Sequence, residues 1–290
     1  MVALDTAPPV VAPAAGGASR PRFRVGRPVV LAVAAIYFFG PLLAAFWFSV
    51  HNSVGFSGRA YTHMFGAPGL STALLLSLEL GVVTVVVAMA LLVPTMLVVH
   101  LRFPRVRPWV ETLSLVPLVV PPIVLVVGVS KLIAYGNSAD PLSVTGQFFN
   151  QLLNTRPPAL LVFEYVILVL PFSYRSIDAG LRAVDIRTLV EAAQNLGARW
   201  RTILVAVLLP ALRTAVLTAA VLAFALVFGE FTMASVLQYQ TFTVWLLQFQ
   251  NSDGQLSVAL ALMSLLLTWF LLLLFTAVAG RDPSTRKAPQ

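Results

Sequence analysis

The sequence predicts an all-α membrane protein: a bundle of six transmembrane helices with both termini on the cytoplasmic side. Three observations predict it. Of the 290 residues, 59% are hydrophobic and only 10% charged, against roughly 45–50% and about 25% in soluble domains. One soluble core of this size cannot hide so much apolar surface, which excludes a soluble globular enzyme. Six apolar stretches approach the ~20 helical residues that a hydrocarbon core about 30 Å thick requires. They cover 28–50, 70–99, 110–130, 158–174, 212–236 and 256–280. With the N-terminus inside, 16 of the 19 Lys and Arg residues fall in inner segments, leaving Arg59, Lys131 and Arg156 outside. That is the bias of the positive-inside rule. The net charge of +8 then reflects basic inner loops and gives no reason to invoke nucleic acid.

Taken in order, residues 1–27 are rich in Ala, Pro and Gly without hydrophobic periodicity, the composition of a disordered tail. A cleaved signal peptide is the competing reading. The apolar run that follows is about 23 residues, longer than the usual h-region of about 7–15. The membrane-embedded body is expected over 28–280, with 281–290 a second cytoplasmic tail. The fourth span is the shortest and holds Glu164 and Pro171. Without it the number of crossings is odd and the charge pattern inverts. Outside segment 131–157 carries Asp140-Pro141 and a mixed run at 146–154 with Phe148 and Phe149. It reads as a short interfacial helix or as an ordinary connecting loop. The aromatic stretch 239–250, with Trp245, suits either a gate lining or an interfacial anchor.

Several chemistries are missing. There are no cysteines, and the two lysines, Lys131 and Lys287, do not follow a glycine. No G-x-x-x-x-G-K-[ST] loop exists, so this polypeptide does not cradle ATP phosphates in that way. His51, His63 and His100 are scattered, with no H-E-x-x-H spacing. Neither a metal site nor a catalytic residue is expected, and no cofactor is assigned to this chain.

The inner segment 175–211 is longer than a turn between two helices needs. In its run from Asp185 to Gly197, apolar Ile186, Leu189, Val190, Ala193 and Leu196 recur every three or four residues, one face of a helix. Asp185 suits the N-cap and Gly197 the C′ stop. A second helical run is expected from Ala198 through Trp200, Ile203 and Leu204 to Pro210. Two short helices joined at a glycine make a knob for a partner surface. A helix resting on lipid headgroups is the alternative.

The string Glu191-Ala192-Ala193, then Gly197 after three residues, then Leu209-Pro210 resembles the EAA signature of permease subunits of binding-protein-dependent ABC importers. Leu170-Pro171, Tyr174-Arg175 and Asp185 also match, over roughly 165–235. The resemblance implies a type I, MetI-like permease bundle in a bacterial cytoplasmic membrane, with 175–211 as a coupling loop. It implies a separate ATP-binding cassette ATPase dimer that carries ATP and Mg, and an extracytoplasmic solute-binding protein. It also implies a second permease subunit, expected to be a different chain. Glu191 would contact the ATPase, Ala192 and Ala193 would pack into its groove, and Gly197 would set the bend.

Ionisable groups inside a span are functional candidates by default, which singles out Glu79, Glu164 and Glu230. Glu230 lies between Phe228 and Phe231, where a carboxylate beside aromatic rings suits a cationic amine. It suits equally a hydrogen bond that fixes helix packing. By overall pattern the chain looks closest to the spermidine/putrescine branch of these permeases, so a polyamine is the expected solute. Gly229-Glu230 departs from the Asp-Asp or Asp-Glu pair common in that branch, and Gly-Glu-Phe also looks like permeases for sulfate, molybdate, ferric iron or phosphonates. A different class remains open on residues alone: a gradient-driven secondary transporter or channel in which the three glutamates relay ions.

Overall fold

In lipid a helix satisfies its own backbone groups, so the long apolar runs fold as helices and break where proline or glycine forces them to. The computed structural model describes residues 26–52, 55–138, 143–250 and 253–279. The tails expected over 1–27 and 281–290 lie outside the described residues, except that Gly26 and Arg27 belong to the first helix. Asp140-Pro141 lies outside them as well.

The order is α1 (Gly26–Val50), a two-residue antiparallel ladder β1 (His51–Asn52) with β2 (Gly55–Phe56), then α2 (Arg59–His63) and α3 (Leu70–Arg102). There follow α4 (Arg107–Val119), α5 (Pro122–Ser138), α6 (Val144–Asn154), α7 (Ala159–Ala183) and α8 (Ile186–Asn195). The chain continues through α9 (Trp200–Thr202), a π turn (Ile203–Leu208), α10 (Leu209–Phe228), α11 (Thr232–Val236), α12 (Phe242–Phe249) and α13 (Gly254–Ala279). It divides into two units, residues 1–44 and 45–290. Of the first, 26–44 is one apolar helical stretch with side chains such as Ile36, Tyr37 and Phe38 exposed. The second holds the bundle.

At the centre of the second unit α3, α7 and α10 pack on one another, with α4 against α7 and α13 against α10. One apolar layer joins Leu80, Leu161, Tyr165, Val169, Val227 and Met233. Another joins Met96, Tyr174, Ile177, Ile203, Leu208 and Leu212, and takes in the inner face of α8. Small residues let α7 and α10 approach closely: a Cβ at Gly180 would overlap that of Ala215, and the Ser176 hydroxyl donates to the Ala215 carbonyl at 3.2 Å.

Among the described residues five helices are long and apolar enough to cross a membrane, and a sixth crossing would need the pair α4 and α5. That pair corrects the expected span over 110–130: its helices meet at 90°. Pro121 drives Val120 into extended backbone (φ −86°, ψ 117°) because the residue before a proline avoids the helical region. The expected span over 158–174 is also too short, since α7 absorbs Pro171 and runs to Ala183. The segment between membrane helices therefore begins nine residues later than the expected start at 175. The expected span over 212–236 lies within one candidate crossing, Trp200–Val236, inside which α10 ends at Phe228 and the short helix α11 follows.

The Gly180 contact yields a stability prediction. Gly180→Ala destabilises the purified chain by about 1–3 kcal/mol, the usual consequence of overpacking, and Ala215→Gly in the same chain restores most of the loss. Thermal melting in detergent measures both. A single variant that melts like the parent would show that α7 and α10 have room to spare.

Candidate functional site

Helix α8 is marked at both ends by local chemistry. The Asp185 carboxylate accepts from the Thr188 N–H (3.3 Å) and the Thr188 hydroxyl (2.7 Å). Those bonds hold its carboxyl below the ordinary Asp value of 3.8. At the other end Gly197 takes φ +78°, a conformation glycine adopts without strain. The Ala198 N–H then reaches the Ala193 carbonyl (3.0 Å) and the Gly197 N–H the Gln194 carbonyl (2.8 Å), the two bonds of a Schellman cap.

The faces of α8 differ from the expected ones in two places. Ile186, Val190 and Ala193 are buried, Ala193 being only 8% exposed. The expectation that both alanines meet a partner is corrected: Ala193 seats α8 on its own bundle, and Ala192 faces out. Leu196, expected on the inner face, is 88% exposed, because the cap turns the chain away from that face one residue before Gly197. Glu191, Ala192, Gln194 and Leu196 therefore form an outward surface. Beside it opens a cleft of about 820 Å³, walled by Arg102, Phe103, Arg187, Glu191 and Trp200.

The second short helix is also corrected. From Trp200 the chain winds through the π turn straight into α10, so α8 connects at Gly197 to one long helix. Leu209 and Pro210 open α10. Proline lacks an N–H, and immediately before it the Leu209 N–H donates to the carbonyl of Leu204, five residues back. A π turn of this kind re-registers the ladder where a bond is missing.

The glutamates expected along a solute path have different surroundings. The Glu230 carboxylate is 91% buried and accepts from the N–H groups of Met233 (2.8 Å) and Ala234 (3.3 Å) and from the Tyr165 hydroxyl (3.0 Å). Its backbone carbonyl accepts from the Thr243 hydroxyl at 2.6 Å. It thus ties α7, α11 and α12 together. Glu164, beside Tyr165, is 3% exposed, and no donor reaches either of its oxygens among the described residues. Glu79 is partly exposed and pairs with Arg156 at 3.2 Å. Phe228 is buried in a stack of rings running Phe224, Phe228, Phe242, Trp245 and Phe249. Trp245 donates from that stack to the Pro68 carbonyl at 3.1 Å, so it is a core residue rather than an interfacial anchor. Phe231 is partly exposed and lines a 400 Å³ pocket with Thr243, Leu246 and Gln250.

One cluster was not expected. Near the α8 end of the bundle, Asp178 of α7 meets Arg107 (2.9 Å), Arg182 (2.7 Å) and the His100 ring (3.1 Å), and Arg182 also approaches Glu111 at 3.7 Å. The i,i+4 spacing of Asp178 and Arg182 is legible in the sequence. The other partners lie 71 and 78 residues upstream.

The Asp185 cap gives a second prediction. Because the folded carboxyl titrates below its ordinary value, the cap holds at neutral pH and fails only on acidification through that lowered value. Asp185→Ala raises amide exchange over residues 186–190 severalfold at neutral pH. In the parent the same rise appears only below pH 3.8. Unchanged exchange in the variant would mean that packing alone holds the first turn.

Residues 100–281 match the family described as binding-protein-dependent transport system inner membrane component. The molybdenum transport system permease protein ModB of Mycobacterium bovis is 32% identical over 222 residues, covering 74% of this chain and 81% of that protein. The ModB protein of Mycobacterium tuberculosis matches to the same extent. Neither relative carries a polyamine name, and the closeness to the spermidine/putrescine branch finds no support. Family membership also sets aside the gradient-driven transporter. A capped helix facing outward beside a bundle with no nucleotide loop agrees with a transport subunit that works with an ATPase and a binding protein. The chain belongs to the inner-membrane permease components of binding-protein-dependent ABC transporters, multi-pass proteins of the cytoplasmic membrane that are not themselves enzymes.

Proposed function

We propose that this chain is one permease half of an ABC importer for a tetrahedral oxyanion of the molybdate kind, with α8 as its coupling helix on the cytoplasmic side. The relatives' molybdenum names support the solute class. The physical support is the Glu230 carboxylate: three donors of its own chain occupy it. A carboxylate so engaged is a poor counter-ion for a polyamine, and the cationic reading rested on it. The extracytoplasmic binding protein then selects the solute, and the bundle supplies a gated path.

The observation that carries the coupling reading is the pre-shaped, outward surface of α8. Glu191, Ala192 and Leu196 would meet a separate ATPase dimer that binds ATP and Mg. Ala193 and Gly197 would hold the helix in place. Leu209 and Pro210 would pass its displacement into α10. Burying an exposed leucine contributes about 1.5–3 kcal/mol, a sizeable share of a docking energy. ATP binding would draw this chain and a second, different permease subunit together and shift the bundle from inward- to outward-open, a population change between two states. Six crossings with both termini inside fit the distribution of Lys and Arg.

Two outcomes are expected. Leu196→Asp abolishes co-purification of the ATPase and solute uptake while leaving the amount of membrane-inserted chain unchanged; normal assembly would remove α8 from the coupling role. In cells carrying the complete transporter, labelled molybdate accumulates and spermidine does not. Glu230→Gln, which keeps one acceptor oxygen for the α11 amides, leaves that uptake within about fivefold, since a neutral hydrogen bond differs from a charged one by only ~1 kcal/mol. Accumulation of spermidine that fails in Glu230→Gln would restore the cationic reading.

A further inference from the structure

We infer that Asp178 is a positioning residue that locks α4 to the junction of α7 and α8, so that these helices move as one body when the ATPase closes. The inference rests on the reading of α8 as the coupling helix.

Helix α4 needs such a lock. Among its described residues only Ser114 is fully buried, and that hydroxyl bonds within its own helix, to the Glu111 carbonyl at 2.8 Å. Trp109, Leu113, Val116, Leu118 and Val119 are exposed. Apolar burial in this bundle therefore anchors α4 weakly, and its far end turns through 90° into α5. What ties its near end down is ionic. Arg107, in the first turn of α4, donates from Nη2 to Asp178 Oδ1 at 2.9 Å. Arg182, one turn beyond Asp178 on α7, holds Oδ2 with Nε at 2.7 Å and reaches back to Glu111 of α4 at 3.7 Å. His100, near the end of α3, brings Nε2 to 3.1 Å from Oδ1 while its Nδ1 faces the Met96 carbonyl at 2.9 Å.

The Asp178 side chain is 9% exposed and that of Arg107 28%, so this contact is shielded from water and salt better than a surface pair, whereas Arg182, 55% exposed, holds its end of the cluster in reach of solvent. One carboxylate thus gathers guanidinium groups from α4 and α7, with the His100 ring of α3 beside it. Only Val184 and Asp185 separate the end of α7 from the start of α8. A displacement of α8 is therefore delivered to α7 through the chain and to α4 through Asp178. Removing the carboxylate leaves Arg107 and Arg182 facing each other with no shared anion. In that state α4 lags behind α7, and hydrolysis no longer drives the broken pair α4 and α5.

The chain has no cysteines, so spin labels can be placed at Leu113 of α4 and Ala183 at the end of α7, both exposed. The complete transporter in nanodiscs is compared without nucleotide and trapped with ATP and vanadate. In the parent, the label separation changes by no more than about 1–2 Å, the scale of helix shifts within a rigid unit. In Asp178→Asn it shifts further or broadens. The variant still co-purifies with the ATPase and hydrolyses ATP, but uptake per ATP falls roughly 5-fold or more, the size of a typical coupling energy. Asp178→Glu restores it. Should Asp178→Asn fail to insert, Arg107→Gln, which removes one arm of the cluster, takes its place in the same measurements. Three results would overturn the inference: parent labels that separate on trapping, a variant with unchanged uptake per ATP, or a variant that loses the ATPase along with uptake. The coupling role of α8 fails separately, through an assembled and active Leu196→Asp.

Discussion

A backbone N–H in an apolar medium must find an acceptor, and this constraint shapes the buried places where the chain stops being a continuous helix. Helix α10 ends at Gly229, and the amides that open α11 are taken up by the Glu230 carboxylate. Helix α12 opens deep in the bundle, and the Phe242 N–H finds the Ser77 hydroxyl of α3 at 2.8 Å. At α8 the acceptor is Asp185. Each of these three breaks uses a polar side chain brought to it by sequence-local or tertiary packing. Glu230 therefore has a structural reason to exist, independent of any solute.

The same constraint shapes the mechanical layout. Breaks that are hydrogen-bonded and buried are stiff, so motion has to be taken up where the chain is held less tightly. At the α4 and α5 junction the bend is imposed by Pro121, and on one side of it only Ser114 is buried among the described residues of α4. The ionic cluster at Asp178 compensates at one end of that helix. The π turn before Pro210 serves the opposite purpose, keeping the rod from Trp200 to Phe228 unbroken despite a proline.

Much of α8 was readable from the sequence because its determinants are local. Asp185, Gly197 and a 3–4 periodicity lie within thirteen residues, and cap chemistry depends on neighbours alone. The orientation of Leu196 was not, because periodicity assumes that the helix continues, whereas the Schellman cap rotates the last residue off the apolar face. Pro121-Pro122 was present in the sequence, but a hydropathy window averages over it and returns a single span. The Asp178 cluster, beyond its i,i+4 pair with Arg182, was invisible for a different reason: Arg107 and His100 come from two other helices. The solute was not legible because a carboxylate between phenylalanines looks the same whether it awaits an amine or caps a helix. The three donors around Glu230 come from tertiary packing that the sequence does not display.

The account stands on α8 presenting a leucine toward the cytoplasm for the ATPase to cover. A single Leu196→Cys in this cysteine-free chain, probed with a membrane-impermeant maleimide, tests that directly. The account predicts labelling in inside-out vesicles stripped of the ATPase, protection once the ATPase is restored, and no labelling in intact spheroplasts. Labelling from the outer face, or labelling that the ATPase does not diminish, would contradict it.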